Sequence, residues 1–549
     1  MRLVALLFLS ILTAQAQQPF LFYRGAYHAA TYSPAGIPNS GLPRGGLFTV
    51  FGRNLGPATP ATASAFPLGT SLAGVRLQIL RGTQTFDAFP VFVSAGQINA
   101  ILPSNAPLGK SVLRLQFNAS TSNIIPVEVV QSNFGIFSIN SGGFGPAIVT
   151  NFIDPGTQPI NSLEQAAQPG QVITIWGSGL GPVSYPDNVA PTAGDLPGNV
   201  SVFIGGLPAQ RLYAGRAPCC SGLDQLVVTI PPNVAQGCWV PIQVLAGGIT
   251  SNTATIAIAS QPNACADPHS PSSSVIRKGG KLARIVTSRS SYLIDVANPE
   301  PFEFNSDTGF AQFAQYAANP FAWQLLDSLP PPGSCATHTT RGMAQEFTSI
   351  LPGLSGAALN IGAPISIQAV STAVLNQFLD LKNIFFAKLG GNFPTSSPVS
   401  LFFPVNRELL ITTAASTDLP AISVRTTPDL SSSWTNRNAN FRFRAGQPIN
   451  LTWAPQQGGL VVAMGSNFNR AKNASSLFAC VARSEDAALT VPAYIANTLP
   501  RDPASYDAPT GYLSLITIPN TQGSTRTLPG FDAASVFHLN LQSRSVQFR

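Results

Sequence analysis

Gly46-Leu47-Phe48-Thr49-Val50-Phe51-Gly52-Arg53-Asn54-Leu55-Gly56-Pro57 returns 125 residues later as Gln171-Val172-Ile173-Thr174-Ile175-Trp176-Gly177-Ser178-Gly179-Leu180-Gly181-Pro182. β-Branched and aromatic residues ahead of a glycine-rich turn read as a short strand, ending where glycine tolerates backbone angles closed to other residues. Further pieces repeat in the same order. Val75-Arg76-Leu77-Gln78-Ile79 matches Val200-Ser201-Val202-Phe203-Ile204, and both alternate with period two, as a strand with one apolar face does. Gln97-Ile98-Asn99-Ala100-Ile101-Leu102-Pro103 matches Gln225-Leu226-Val227-Val228-Thr229-Ile230-Pro231. Each ends at a proline, which has no amide proton with which to continue the pairing. Ser122-Asn123 against Ser251-Asn252 closes the series. The period is that of one β-sandwich domain, present twice.

The rest of the chain is built of similar material. Of 549 residues, 44% are apolar and 10% charged, with 47 Gly, 48 Pro and only three Met. That is too apolar for disorder and too rich in turn residues for long solvated helices, and the length suits three or four units. An all-β, multi-domain protein follows. The net charge of +7 is a mild bias at this length. The densest basic stretch, Arg277, Lys278, Lys281, Arg284 and Arg289, has few aromatics to stack bases and reads as an exposed linker, so nucleic acid is not an expected partner.

Met1-Arg2, the apolar run Leu3 to Leu12 and Ala14-Gln15-Ala16 have the parts of a secretory signal, with cleavage expected after Ala16. No later run of about 18 apolar residues is present to span a bilayer as a helix. The expected location is extracellular or at the cell surface.

The order T-[VI]-[FW]-G-x-x-L-G-P, then V-x-[LV]-x-I, then Q-[IL] running to a strand-ending proline, then Ser-Asn, resembles the IPT/TIG immunoglobulin-like modules found in pairs in secreted proteins of soil bacteria. The second copy carries the Gly205-Gly206 hairpin of that pattern, and the first has Arg81-Gly82 there. The resemblance implies tandem immunoglobulin-like sandwiches serving adhesion, spacing or support, without chemistry. It covers about residues 25–260. A weaker likeness over 400–549, through Gln447 to Trp453, Leu460 to Ser466 and Leu477 to Ala482, implies the C-terminal β-sandwich that follows such pairs. The expected organisation is a signal peptide over 1–16, immunoglobulin-like domains over 17–134 and 135–260, a linker over 261–284, and a C-terminal β-rich domain over 285–549.

Within that last domain, Val374 to Leu389 carries apolar residues that suit one amphipathic helix or two strands about Lys382-Asn383, and its β-like flanks favour strands. Phe537, Leu539 and Leu541 alternate with His538, Asn540 and Gln542, which predicts a closing strand with one wet face. Six cysteines in an exported chain are expected to pair. A bond between the neighbours Cys219 and Cys220 closes a strained ring, so the expectation is that they join Cys238 and Cys265, in either order, and that Cys335 joins Cys480.

Motifs for chemistry are sparse. His28, His269, His338 and His538 are far apart, with no H-E-x-x-H pattern, and there is no G-x-S-x-G elbow or calcium loop. Gly109-Lys110-Ser111 and Gly177 to Gly181 imitate phosphate loops but sit among strand signals. The acids Asp295, Glu300, Glu303, Asp307, Glu485 and Asp486 are candidates for a glycosidase pair, with solvated surface the simpler reading. Trp176 and Trp453 fall at inward strand positions. Trp434, between Ser431-Ser432-Ser433 and Thr435-Asn436-Arg437-Asn438, and Trp239 are the candidates for contact with a sugar ring. The expectation is therefore a non-catalytic binding or structural module without cofactor or metal, its partner an extracellular protein or polysaccharide. The alternative is a glycan-binding or glycan-degrading protein with its site in the C-terminal unit.

Overall fold

The computed structural model describes residues 18–261, 263–267, 270, 272–295, 301–323, 328–342, 356–369, 371–378, 381–391, 401–403, 407–428, 433–439, 442–503, 508–518 and 527–549. The expected signal peptide, His269, Glu300 and Ser431-Ser432 lie outside them. The described chain is strand joined by turns, with very little helix, arranged as tandem sandwiches followed by a larger β unit.

The repeat in sequence is a repeat in structure. In the first module Phe48 and Val50, Leu77 and Ile79, and Ile98 and Ala100 point into one core. Their counterparts Ile173 and Ile175, Val202 and Ile204, and Leu226 and Val228 fill the second. The modules differ at one corner. The strand Leu207–Arg216 pairs with one sheet through Leu207 to Ala209 and with the other through Gln210 to Arg216, bending at a bulge near Leu212. The first module divides the same path into two strands, Gln84–Asp87 and Phe89–Val93.

The two most regular motifs converge on a single position in each module. Leu21 lies opposite Gly52, and Ile136 opposite Gly177. A Cβ on Gly52 would stand 2.2 Å from the Phe20 carbonyl oxygen, and one on Gly177 would stand 2.4 Å from that of Gly135. Glycine is required here for close approach of backbones. From the other side, the Asn123 side chain accepts from the Leu21 N–H at 2.8 Å and donates to its carbonyl at 3.1 Å. Asn252 does the same for Ile136, at 2.8 and 2.9 Å. The preceding serines match as well: Ser122 Oγ accepts from the Leu115 N–H, and Ser251 Oγ from that of Val244. Ser-Asn is thus a clamp that substitutes for a missing neighbour strand.

In the C-terminal unit three long strands, Gly280–Ile294, Phe302–Tyr316 and Ala533–Phe548, form the centre of a 14-stranded sheet. The first and last run parallel, Leu282 opposite Ala533 through Leu293 opposite Arg544. One end of this trio packs on a core with Phe313, Ile367 and Ile411, and the other on a core with Trp453, Phe478 and Phe548. Between them lies a belt of ion pairs: Arg289 with Asp307, Arg437 with Glu303, and Arg544 with Asp295, each 2.8 Å. Leu539 and Leu541 face a third cluster with Leu460 and Val462. Ala533–Phe548 is therefore covered on both faces, and the wet face predicted for it does not exist: His538 and Asn540 are buried in the belt.

Four other expectations are corrected. The 261–284 interval holds the helix Ser273–Lys278 and the start of Gly280–Ile294, so its basic residues are dispersed rather than exposed together. Arg277 pairs with Glu164, and the buried Arg284 donates to Gln312. Strands rather than a helix do occupy Val374 to Leu389, as Thr372–Phe378 and Leu381–Gly391, but the break expected at Lys382-Asn383 is not there, since both residues belong to the second strand. Cys238 and Cys265 are bonded to one another, because the strand of Cys238 pairs Gly237 with Ile258, the end of the strand Ala254–Ile258, and the chain just beyond it brings the two Cα atoms to 5.2 Å. That leaves Cys219 and Cys220 bonded as neighbours. Cys335 and Cys480 sit at facing register positions and are bonded. The Cys335–Cys480 bridge spans 145 residues and Cys238–Cys265 spans 27. In the chain-entropy model those loops contribute about 5 and about 3.5 kcal/mol, and the vicinal pair, closing no loop, contributes nothing by this route.

The clamps make unequal contributions. Asn252 is 7% exposed, whereas Asn123 is open to water, which can replace its bonds. Asn252→Ala is expected to cost about 3 kcal/mol in urea unfolding, because it strands buried main-chain groups, and Asn123→Ala about 1 kcal/mol. Equal losses would contradict the clamp assignment.

Candidate functional site

The modules meet through groups that water does not reach. His28 ends the first strand and is fully buried; its Nδ1 accepts from the Ala30 N–H at 3.0 Å, which places the proton on Nε2, 3.2 Å from the Ser178 carbonyl of the second module. Burial pushes its pKa down to about 4. Ser178 Oγ accepts from the Leu47 N–H and donates to the Gly222 carbonyl. Arg216 forms a buried ion pair with Asp224, while its Nη2 donates to Gly45 in the first module at 2.8 Å and Gly181 in the second at 2.7 Å. Ser104 and Asp187 add a further cross-module contact at 2.7 Å.

The C-terminal unit is joined just as closely. Gln243 donates to the Cys335 carbonyl, Thr253 bonds Thr337, and Phe203 stacks on Tyr494 at 4.2 Å between centroids. A hollow of about 40 Å³, room for little more than a water molecule, marks the meeting of all three units beside Asn39, Phe144 and His338. Burial holds His338 at a pKa of about 4, and its ring meets Phe144 edge-on at 5.1 Å.

Beside this junction the two modules leave a cleft of about 230 Å³. The strands Leu47–Arg53 and Gln97–Ile101 supply Thr49 and Asn99, the segment after the first strand supplies Tyr32, and the second module supplies Phe137, Ser138 and Ser141. None of the lining residues is charged. Tyr32 adopts φ 50°, in the left-handed region, and its ring packs 6.3 Å from Phe51. Thr49 is fully buried, and its Oγ1 has no hydrogen-bond partner in the protein. An unpaired buried hydroxyl on the wall of a cleft is a position that a polar ligand would satisfy.

The structure does not bring the sequence candidates to a site. Trp239 is 1% exposed, packed with Cys238, Cys265 and Ile276, and its Nε1 donates to Ala322. Trp434 is 5% exposed; it bridges to Trp453 and donates to Asn436. Trp434 was read as exposed because polar residues flank it, yet one of those neighbours, Asn436, is the hydrogen-bond partner of its indole. Asp295, Glu303 and Asp307 are the carboxylates of the ion-pair belt, and Asp486 accepts from the Arg483 N–H. His538 is bonded to Thr287. Gly109-Lys110-Ser111 opens the strand Gly109–Phe117, and Gly177 to Gly181 closes Val172–Ser178. Among the described residues, no group of three or more His, Cys, Asp or Glu is placed to hold a metal ion. No helix among them is long and apolar enough to cross a membrane. Sequence reading missed the cleft because its residues come from separated segments of both modules; the clue was Thr49, a polar residue among the apolar ones of its strand.

No family model matches the chain, and no curated protein matches it. Solved structures resemble it distantly. The tandem Ig domains of titin are 9% identical over 40% of this chain and 90% of that one, with a TM-score of 0.12. Domains 5 and 6 of the S-layer protein SbsC are 9% identical over 44% of this chain and 99% of theirs, at 0.15. The Bacteroides ovatus mixed-linkage glucan utilisation locus protein SGBP-B, in complex with a mixed-linkage heptasaccharide, is 10% identical over 84% of this chain and 92% of that one, at 0.13. None of these likenesses bears on function.

The buried His28 makes stability depend on pH in a defined direction. Its pKa lies near 4 folded and near 6.5 unfolded, so the unfolded chain takes up the proton first as pH falls. The stabilisation is complete above pH 6.5 and is lost progressively down to about 4. For this residue alone the loss at pH 4.5 relative to pH 7.5 is about 2–3 kcal/mol. Urea unfolding at the two pH values should show that increment in the parent and its disappearance in His28→Gln; identical pH dependence in both would refute it.

Proposed function

We propose that the chain is a non-catalytic, exported binding protein that holds an uncharged, ring-sized polar ligand, such as one sugar unit of a glycan, in the cleft between its first two modules. The observation that carries this reading is the unpartnered, buried Thr49 hydroxyl on an uncharged wall shared with Tyr32, Phe137, Asn99 and Ser138. Aromatic faces beside hydroxyl and amide groups suit a pyranose, which presents C–H faces and a rim of hydroxyls. A cleft of about 230 Å³ is smaller than the ~300–1,000 Å³ that takes a drug-sized molecule, which favours one ring over an oligomer.

The non-catalytic part rests on where the reactive side chains are spent. His28 and His338 are kept neutral inside unit junctions, and the carboxylates once available as acid and base are paired with arginines. The IPT/TIG-like pattern of the modules supports the same reading, as do the disulfides for an oxidising location outside the cell.

A glycan and polysaccharide array on the disulfide-intact chain tests it, with product analysis of every glycan retained. Binding without turnover, weakened about tenfold by the near-isosteric Thr49→Val, is the expected outcome, a loss of roughly 1.4 kcal/mol. Turnover, or binding indifferent to Thr49→Val and Asn99→Ala in folded protein, would overturn it.

A further inference from the structure

The strand Phe20–His28 lies at the edge of its sheet and contains an irregularity with a chemical consequence. Between Leu21, opposite Gly52, and Ala26, opposite Val50, the four residues Phe22 to Gly25 stand against Phe51 alone. Such a bulge re-aims side chains. Tyr23 is 68% exposed, and Phe20 and Phe22 are 51% and 39% exposed. Each of two rings carries a guanidinium: Arg24 lies over Tyr23 at 4.9 Å, and Arg53 over Phe22 at 5.7 Å. Arg24 also donates to the carbonyls of Lys472 and Ala471, at 2.8 and 3.2 Å, on the exposed turn between strands Leu460–Asn469 and Ala474–Arg483. Arg341, paired with Ala474 beside that turn, lies over Tyr27 at 5.1 Å.

The charge of this face has one sign. Gln18 to Phe86, Cys335 to Arg341 and Leu460 to Arg483 contain no Asp or Glu. None of the ion pairs among the described residues involves Arg24, Arg53, Arg341, Arg470 or Lys472. Exposed rings and uncompensated cations therefore share one ledge, built jointly by the two ends of the chain.

We propose that this ledge is a second binding site, for an acidic polysaccharide bearing carboxylates along its length. Sugar faces stack on Phe20, Phe22 and Tyr23 while guanidinium groups meet carboxylates, the pairing for which arginine's planar fork is suited. A bilayer fits less well. The rings stand at a short bulge pinned on both sides, by Phe20 and Leu21 paired with Arg53 and Gly52 and by Ala26 paired with Val50, rather than on a loop or helix able to sink the ~5–10 Å that interfacial insertion needs. The proposal rests on the reading of the chain as a binding protein but not on the cleft.

Sodium polygalacturonate is the probe, with amylose, phosphatidylglycerol vesicles and double-stranded DNA in parallel, measured by titration calorimetry at 50 and 300 mM NaCl. Binding to polygalacturonate that weakens with salt is expected. The triple variant Arg53→Gln, Arg470→Gln, Lys472→Gln, which leaves Arg24 in its structural contacts, should weaken it at least tenfold at unchanged melting temperature. Tyr23→Ala should weaken it about fivefold. Thr49→Val should leave it unaltered, which separates failure of this site from failure of the cleft. No binding to polygalacturonate, binding equal in the triple variant, or equal affinity for vesicles or DNA with no dependence on Tyr23 would each overturn the proposal.

Discussion

The first strand is the member on which the others depend. Its Leu21 main chain is accepted on one side only because position 52 has no side chain, and on the other only because an asparagine side chain imitates a strand. Everything further along is placed by that grip. Its last residue, His28, is delivered to the second module's Ser178. The segment that follows lines the cleft through Ala29, Ala30 and Tyr32. Its bulge carries Arg24 to a carbonyl pair more than 400 residues away in sequence. The energetic logic is common: a backbone group removed from water must find a partner, and an edge strand has fewer partners to offer.

The three units are joined largely by polar contacts where apolar ones would serve stability equally well. Buried ion pairs and carbonyl contacts bring little net free energy, since desolvation offsets much of the attraction, but misplacing either partner is costly. Arg216 illustrates this: its geometry is satisfied only when Gly45 and Gly181, from different modules, are presented together with Asp224. The effect is to fix the angle between modules, and with it the shape of the cleft. In the C-terminal unit, the belt of arginines and carboxylates divides two apolar cores on one set of strands and so defines the register of strands 15 and 16 residues long.

How much of this was legible depends on whether the signal is local. Alternation and turn chemistry revealed the modules, down to the Gly52 and Gly177 positions and the Ser-Asn pairs, because each is a short-range constraint repeated twice. The function of Ser-Asn as a clamp was not legible, because its partner lies about 100 residues upstream. Trp434 misled for a related reason: polar neighbours in sequence mean exposure only if they face water, and here Asn436 faces the indole, while Trp239 is covered by the distant Ala322 and Ile276. The wet face assigned to Phe537 through Gln542 failed because alternation reports polarity, and a buried polar belt has the same pattern as a solvated surface. Neither the cleft nor the cationic ledge has any contiguous signature, since each is assembled from segments of different units.

The strand Ala533–Phe548 sits in the interior of its sheet, parallel to Gly280–Ile294, which is made roughly 250 residues earlier. A chain made in order can therefore complete the two modules while the remainder waits, its central position unfilled and two long strand edges open. During that interval the nascent chain presents the surfaces most prone to pair with a neighbouring copy. Closure of those edges therefore waits on Ala533–Phe548, and the Cys335 bond waits on Cys480, itself made late.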